Sequence, residues 1–196
     1  MSCTPITCNC GRTLLTDAEC IDHCVKCDKL PYSKTTRHNN IRHAVTTVAR
    51  QFGIACTEEP KIYEDLYENG HQRPDILFQL NPPLSIDITC VHPELEVDVA
   101  AENAAKVKRK QHEAVMEKLN HKFLPFTLET YGHLNQSVFK VISELERSVP
   151  SYQAYRFRQT MLHAVSTAVA ISRADAIRTA ILHMQRANQG GRSGRR

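Results

Sequence analysis

Two aspartates set the chemistry that this sequence could perform. Asp75 closes the run Arg73-Pro74-Asp75, and Asp87 follows within the alternating segment 84–91. If these run as neighbouring strands of a hairpin, both carboxylates come to one end of a sheet, where they repel unless a cation lies between them. Hard oxygen donors of this kind favour Mg²⁺ or Mn²⁺, which keep several waters in their shell. Such an ion lowers the pKa of a bound water and offsets the charge growing on a phosphate in the transition state. The competing structural role for Asp75 is a turn or cap residue, since a Pro-Asp pair is ordinary turn chemistry.

A third carboxylate, Glu59, lies just ahead of the first expected strand, with the backbone after it fixed by Pro60; Glu58 competes with it. A general base or charge stabiliser is offered by the alanine-rich stretch 97–119. Its apolar positions Ala101, Ala104, Ala105, Val115 and Leu119 recur at helical spacing, and Lys108 falls on the same stripe. A lysine on an inward face needs a partner, and the carboxylate cluster would provide one. The same helix turns Lys106 and Lys110 to other faces, so these two, with Arg73 beside Asp75, are the candidate contacts to nucleic-acid phosphates.

These residues must be positioned by elements that the hydrophobic pattern outlines. Ile41, Ala44, Val45, Val48, Ala49 and Phe52 predict a helix over 37–52, stopped by Gly53. Strands are expected over 59–63, 75–79 and 84–91, with a fourth over 123–128 ending at Glu129. Period two along 84–91 sets Asp87 and Thr89 opposite Ile86 and Ile88. Helices follow over 136–147 and 151–187, the latter carrying the stripe Tyr155, Leu162, Val165, Val169, Ile177, Ile181 and Met184. The order helix, three strands, helix, strand, then helices implies an α/β fold with a mixed sheet flanked by helices.

At 196 residues the chain suits one main domain and a small appended module. No run approaches the ~18 or more consecutive apolar residues of a membrane span, and no signal-peptide core opens the chain. A soluble intracellular protein without a membrane partner is the expectation. Six of the eight cysteines fall in the first 27 residues, a clustering that, with nearby histidine, reads as metal binding rather than a disulfide framework. The net charge of +4 divides unevenly: from Arg147 onward there are nine arginines, no lysine and only Asp175 as an acid, giving +8 against −4 for the rest. That asymmetry suits a protein that grips phosphates with one part and holds a cation with another, though a solvated helix surface accounts for the charge alone about as well.

Five segments together resemble a known family: Arg37-His38-Asn39-Asn40-Ile41-Arg42, Glu59-Pro60, Arg73-Pro74-Asp75-Ile76, Asp87-Ile88-Thr89-Cys90-Val91-His92-Pro93, and Phe123-Leu124-Pro125-Phe126-Thr127-Leu128-Glu129-Thr130-Tyr131-Gly132. They are similar to the restriction-like endonuclease of site-specific non-LTR retrotransposons and related reverse-transcriptase polyproteins, and 166–177 is similar to the helical end of those polyproteins. The resemblance implies a PD-(D/E)XK restriction-endonuclease-like fold with an αβββαβ core, and a Mg²⁺- or Mn²⁺-dependent activity that nicks or cuts DNA. Carried over, Asp75 and Asp87 become metal ligands, while Glu59 remains a third candidate from its position alone. Lys108 takes the place of an active-site lysine moved from strand to helix.

Two departures stand out: Thr89 occupies the position of the usual strand lysine, and His112 stands where relatives usually carry tyrosine. Activity then rests on the relocated Lys108, and if it points elsewhere the expectation becomes a catalytically inactive, zinc-containing DNA-binding derivative. Cys8, Cys10, His23 and Cys27 resemble the Cys-Cys-His-Cys zinc knuckle that precedes this nuclease, implying structural Zn²⁺, with Cys3, Cys20 and Cys24 as alternative ligands. His38 is either a further ligand or a packing residue. Glu129 and His92 are weaker candidates: the first is within reach of the site but better suited to a structural hydrogen bond to a neighbouring helix, the second suits a substrate contact.

The expected organisation is thus a Cys/His-rich zinc module over 1–31, a nuclease core over 37–132, a helical extension over 133–187 and a disordered basic tail over 188–196. DNA is the implied partner, a homodimer through the helical region is a candidate assembly, and no organic cofactor is expected. Nuclear residence follows from the resemblance and the basic tail.

Overall fold

The computed structural model describes residues 6–8, 10–27, 29, 34–67, 73–93 and 96–193. They fall into two compact units: His38–Val169, and Met1–Arg37 together with Ala170–Arg196. Residues 133–169, expected as part of an extension, therefore belong to the same unit as the sheet.

The larger unit is mixed α/β, built on a four-stranded sheet with strands β3 (Cys56–Glu58), β4 (Ile76–Phe78), β5 (Leu84–Val91) and β6 (Lys122–Glu129) in that spatial order. The first three strands pair antiparallel; β5 and β6 run parallel, joined by the crossover helix α3 (Val99–Lys118). A parallel pair requires such a crossover, because a tight turn can only reverse the chain. On one face Ile76, Phe78, Leu84, Ile86, Ile88, Phe126 and Leu128 pack against helices α2 (Lys34–Gln51), α4 (Gln136–Glu146) and α5 (Ser151–Ser193). The last two contribute Val138, Val141, Ile142, Leu145, Phe157, Met161 and Val165, all fully buried or nearly so. Each such side chain stabilises the fold by about 1.5–3 kcal/mol relative to exposure. The other face carries a smaller cluster in which Leu77 and Phe123 meet Met116 of α3 and Tyr63 and Tyr67.

Two expected elements differ. The first strand lies at Cys56–Glu58 rather than 59–63, and Lys61–Leu66 forms a 3-10 helix instead. Glu59 has φ of 44° and Pro60 has no N–H to donate, so pairing ends with the Glu59 N–H and the strand cannot run on through 60–63. Along α5 the buried stripe is Phe157, Met161, Val165 and Val169, whereas Tyr155 is 75% exposed. Phe157 meets Phe52 edge to face at 5.3 Å, which sets the rotation of that segment. The helix also runs on to Ser193, past the expected end at 187. Extending a formed helix through Gly190 and Gly191 costs only about 1 kcal/mol each, far less than nucleating one. Residues 194–196 of the expected tail lie outside the described residues.

In the smaller unit, β1 (Ile6–Thr7) pairs antiparallel with β2 (Thr13–Leu14), and α1 (Asp17–Lys26) follows. Thr16 and Glu19 form a reciprocal capping box at the start of α1. The hairpin turns at Gly11, whose φ of 89° favours glycine and whose N–H donates to the Cys8 carbonyl at 2.8 Å. Cys8, Leu14 and Cys24 bury against Ala180 and Met184 of α5. Among the described residues no helix is long and apolar enough to cross a membrane.

Candidate active site and metal centre

Hydrogen bonds at the start of β4 bring Asp75 beside β5, next to Asp87. The ladder pairs Ile76 with Ile86 and Leu77 with Ser85. The ladder ends at that first pair, and Asp75, in a bend just before β4, is tied to β5 by its own hydrogen bonds. The Asp75 N–H donates to the Ile86 carbonyl at 2.9 Å, one residue out of step with the ladder. Its carboxylate is then pinned twice: Oδ2 accepts the Ile88 N–H at 2.6 Å, and Oδ1 lies 3.0 Å from His38 Nε2. This bond to Asp75 above all raises the pKa of His38, against an opposing effect of burial. His38 is therefore placed at Asp75, on the turn of α2 preceding the buried Ile41.

Asp87 is 5% exposed and receives two donors on one oxygen: Lys108 Nζ at 3.0 Å and His112 Nε2 at 2.9 Å, both to Oδ2. Lys108 and His112 lie one turn apart on α3, on the stripe that buries Ala101, Ala105 and Met116. His112 is fully buried, and its Nδ1 meets Tyr67 Oη at 2.8 Å. Burial first, then the charges of Tyr63 and Asp87, push the Tyr67 phenol upward, so it stays a hydroxyl. Glu129 anchors the start of the same helix: it is 2% exposed, and its Oε1 accepts the Asp98 N–H at 2.7 Å.

Glu59 is turned elsewhere. It follows β3 opposite Asp75, donating its N–H to the Asp75 carbonyl at 2.8 Å. Its carboxylate pairs with Arg42 of α2 and, at 3.0 Å, with Arg73 Nη2. These arginines hold its pKa below the ordinary carboxylate value, Arg42 most strongly. Glu58, its competitor, accepts from Thr46 at 2.9 Å and faces Arg42 and Arg50. Glu59, Asp75 and Asp87 accordingly do not form a set with ligand atoms all within 4.8 Å of one another.

The remaining candidates divide by exposure. Lys106 and Lys110 are exposed on α3, and Arg73 is tied to Glu59. His92 Nδ1 lies 3.1 Å from Thr130 Oγ1, and its ring meets Tyr131 at 5.3 Å. Thr89, on the same strand face as Asp87, has a buried Oγ1 without a hydrogen-bond partner.

The N-terminal unit gathers Cys8, Cys10, His23 and Cys27, whose ligand atoms all lie within 4.8 Å of one another. Cys8 and Cys27 Sγ are 3.8 Å apart, and Cys10 Sγ is 3.4 Å from His23 Nε2. A tetrahedral ion with Zn–S and Zn–N bonds of ordinary length separates two sulfurs by about 3.8 Å and sulfur from nitrogen by about 3.5 Å. The group can therefore hold a metal ion such as zinc. Burial first pushes the Cys8 thiol up to about 11, so a metal entering here must displace its proton. Burial also lowers the pKa of His23, keeping the ring neutral for ligation. Of the alternative ligands, Cys24 is buried in the small core and Cys20 packs beside it, while Cys3 lies outside the described residues.

No protein-family model matches the chain, and no curated protein matches it. The geometry also adds Tyr67 to the site and gives His112, named in the sequence only as a departure from the family, a place at Asp87. His112 carried a signal, four residues beyond Lys108 on the inward stripe. Tyr67 carried none, because only the packing of the 3-10 segment brings it to α3.

Proposed function

We propose that this chain is a metal-dependent DNA endonuclease or nickase with a PD-(D/E)XK restriction-like core, of the kind found in site-specific non-LTR retrotransposons. The observation that carries the reading is Lys108 Nζ 3.0 Å from Asp87, with the Asp75 carboxylate bonded to the N–H of the next residue, Ile88, at 2.6 Å. Two neighbouring carboxylates with a helix-borne lysine are parts that metal-assisted phosphodiester hydrolysis uses.

The donor chemistry suits Mg²⁺ or Mn²⁺. Asp75 and Asp87 offer oxygen alone, and Thr89 Oγ1 is a buried oxygen without a hydrogen-bond partner on the face of Asp87. These aspartates would hold the ion, which would supply an activated water and charge neutralisation at the phosphate. Lys108 places an ammonium where negative charge grows, a role typically worth several kcal/mol in such sites. His38 and the Ile88 N–H orient Asp75, while exposed Lys106 and Lys110 contact the DNA backbone. In this reading the Cys8, Cys10, His23 and Cys27 group binds structural Zn²⁺, the protein acts in the nucleus, and Glu59 has no part in the ion's shell.

A second reading, the zinc-containing DNA-binding derivative without activity, is favoured by Thr89 at the strand-lysine position and by the protein donors already engaging Asp75 and Asp87. The deciding experiment is conversion of supercoiled plasmid to nicked or linear form with Mg²⁺ or Mn²⁺, for wild type, Asp75→Ala and Lys108→Ala. Cutting by wild type that both variants lose supports the nuclease; a folded, zinc-loaded wild type that binds DNA and cuts nothing supports the derivative.

A further inference from the structure

Resting on that reading, we propose that His112, braced by Tyr67, is a positioning residue that selects which oxygen of Asp87 meets the cation. Asp87 accepts both protein donors on Oδ2, and neither His112 nor Lys108 engages Oδ1. The two donors are unequal. Lys108 is a flexible chain with 26% of its side chain exposed, whereas His112 is a rigid ring with none exposed.

Three contacts fix that ring. Phe123 packs on it at 4.8 Å between centroids, Tyr67 meets it edge to face at 5.5 Å, and Tyr67 Oη occupies Nδ1 at 2.8 Å. A carboxylate only accepts, so Nε2 carries the hydrogen shared with Asp87. Flipping the ring would exchange both nitrogens for carbons and break both bonds, one of them with a charged acceptor. His112 thus sets the rotation of the Asp87 carboxylate, and Oδ1 is the oxygen left for a divalent ion. Hydrogen bonds of this outer kind commonly change metal affinity by about 10- to 100-fold.

The test is Mn²⁺ binding by the zinc-loaded full chain without DNA, followed through the paramagnetic resonance signal of free Mn²⁺, with folding checked by circular dichroism. Asp87→Asn defines the site. His112→Phe, which keeps the ring's bulk and removes both nitrogens, is expected to weaken Mn²⁺ binding at least about tenfold. His112→Gln, whose amide N–H can replace the Nε2 donor, is expected to recover most of that loss, and Tyr67→Phe to weaken binding about threefold. Wild-type affinity in a folded His112→Phe, or a folded His112→Gln as weak as His112→Phe, overturns the positioning role while leaving the nuclease reading intact. If His112→Phe does not fold, Tyr67→Phe decides: weakened binding supports the role and wild-type affinity overturns it. Absence of any Asp87-dependent Mn²⁺ site in wild type overturns the reading and this inference together.

Discussion

Lys108 on α3 and Asp87 on β5 meet at 3.0 Å between Nζ and Oδ2, joining the crossover helix to the strand it covers. Lys108 keeps a quarter of its side chain in solvent, so the pair contributes only modestly to stability. Lys108→Ala is expected to cost about 0.5–1 kcal/mol in urea unfolding, because His112 still satisfies Asp87. Plasmid nicking, by contrast, should fall about 100-fold, as expected for loss of a charge acting at the phosphate. Equal nicking by the variant would remove Lys108 from the chemistry.

Glu59 supplies the opposite prediction. Its carboxylate is engaged by Arg42 and Arg73 rather than gathered with the two aspartates. Glu59→Gln should therefore keep nicking within about threefold of wild type, while Asp75→Ala loses it. A loss with Glu59→Gln as deep as with Asp75→Ala would return Glu59 to the ion's shell.

The cysteine group predicts metal content. The purified chain should carry about one zinc, and Co²⁺ in its place should show the visible absorption of a tetrahedral sulfur-rich site. Cys8→Ser, Cys10→Ser, His23→Ala and Cys27→Ser should each lower zinc occupancy, whereas Cys24→Ser, altering a core thiol, should not. Chelation should unfold the β1–β2 hairpin and α1, since so small a segment has little apolar core of its own. Retention of that structure after complete zinc removal, seen by amide exchange, would show that packing suffices.

Acid stability should depend on Glu144. Lys122 Nζ lies 2.7 Å from Glu144 Oε1, and this bond above all, with the charges of Lys122 and Arg147 adding, lowers the pKa of Glu144. A carboxylate whose pKa is lower folded than unfolded adds stability above the unfolded value of about 4.3, and that contribution disappears as pH falls through the folded value. Glu144→Gln should thus destabilise the chain by about 0.5 kcal/mol at neutral pH, a value kept small by solvent screening of a partly exposed pair. The difference from wild type should shrink as pH falls through the lowered folded value. A gap unchanged across that range would mean packing, not charge, separates the two proteins.

Periodicity in the sequence alone determines much of this protein. The alternation along 84–91 settled β5 and placed Asp87 and Thr89 opposite Ile86 and Ile88, because side-chain direction in a strand is a local property. Helical spacing likewise put Lys108 among Ala101, Ala105 and their neighbours, and the structure sets its ammonium against Asp87. Tertiary structure decided what local pattern cannot carry. The positive φ at Glu59 and two arginines distant in sequence drew one carboxylate away from its expected place. The packing of the 3-10 segment brought Tyr67 to His112, 45 residues along the chain. Burial against the sheet, not the apolar stripe as written, chose Phe157 over Tyr155 as the inward face of α5. Spacing along one element says which residues share a face, and only the folded partner on that face determines which of them meet.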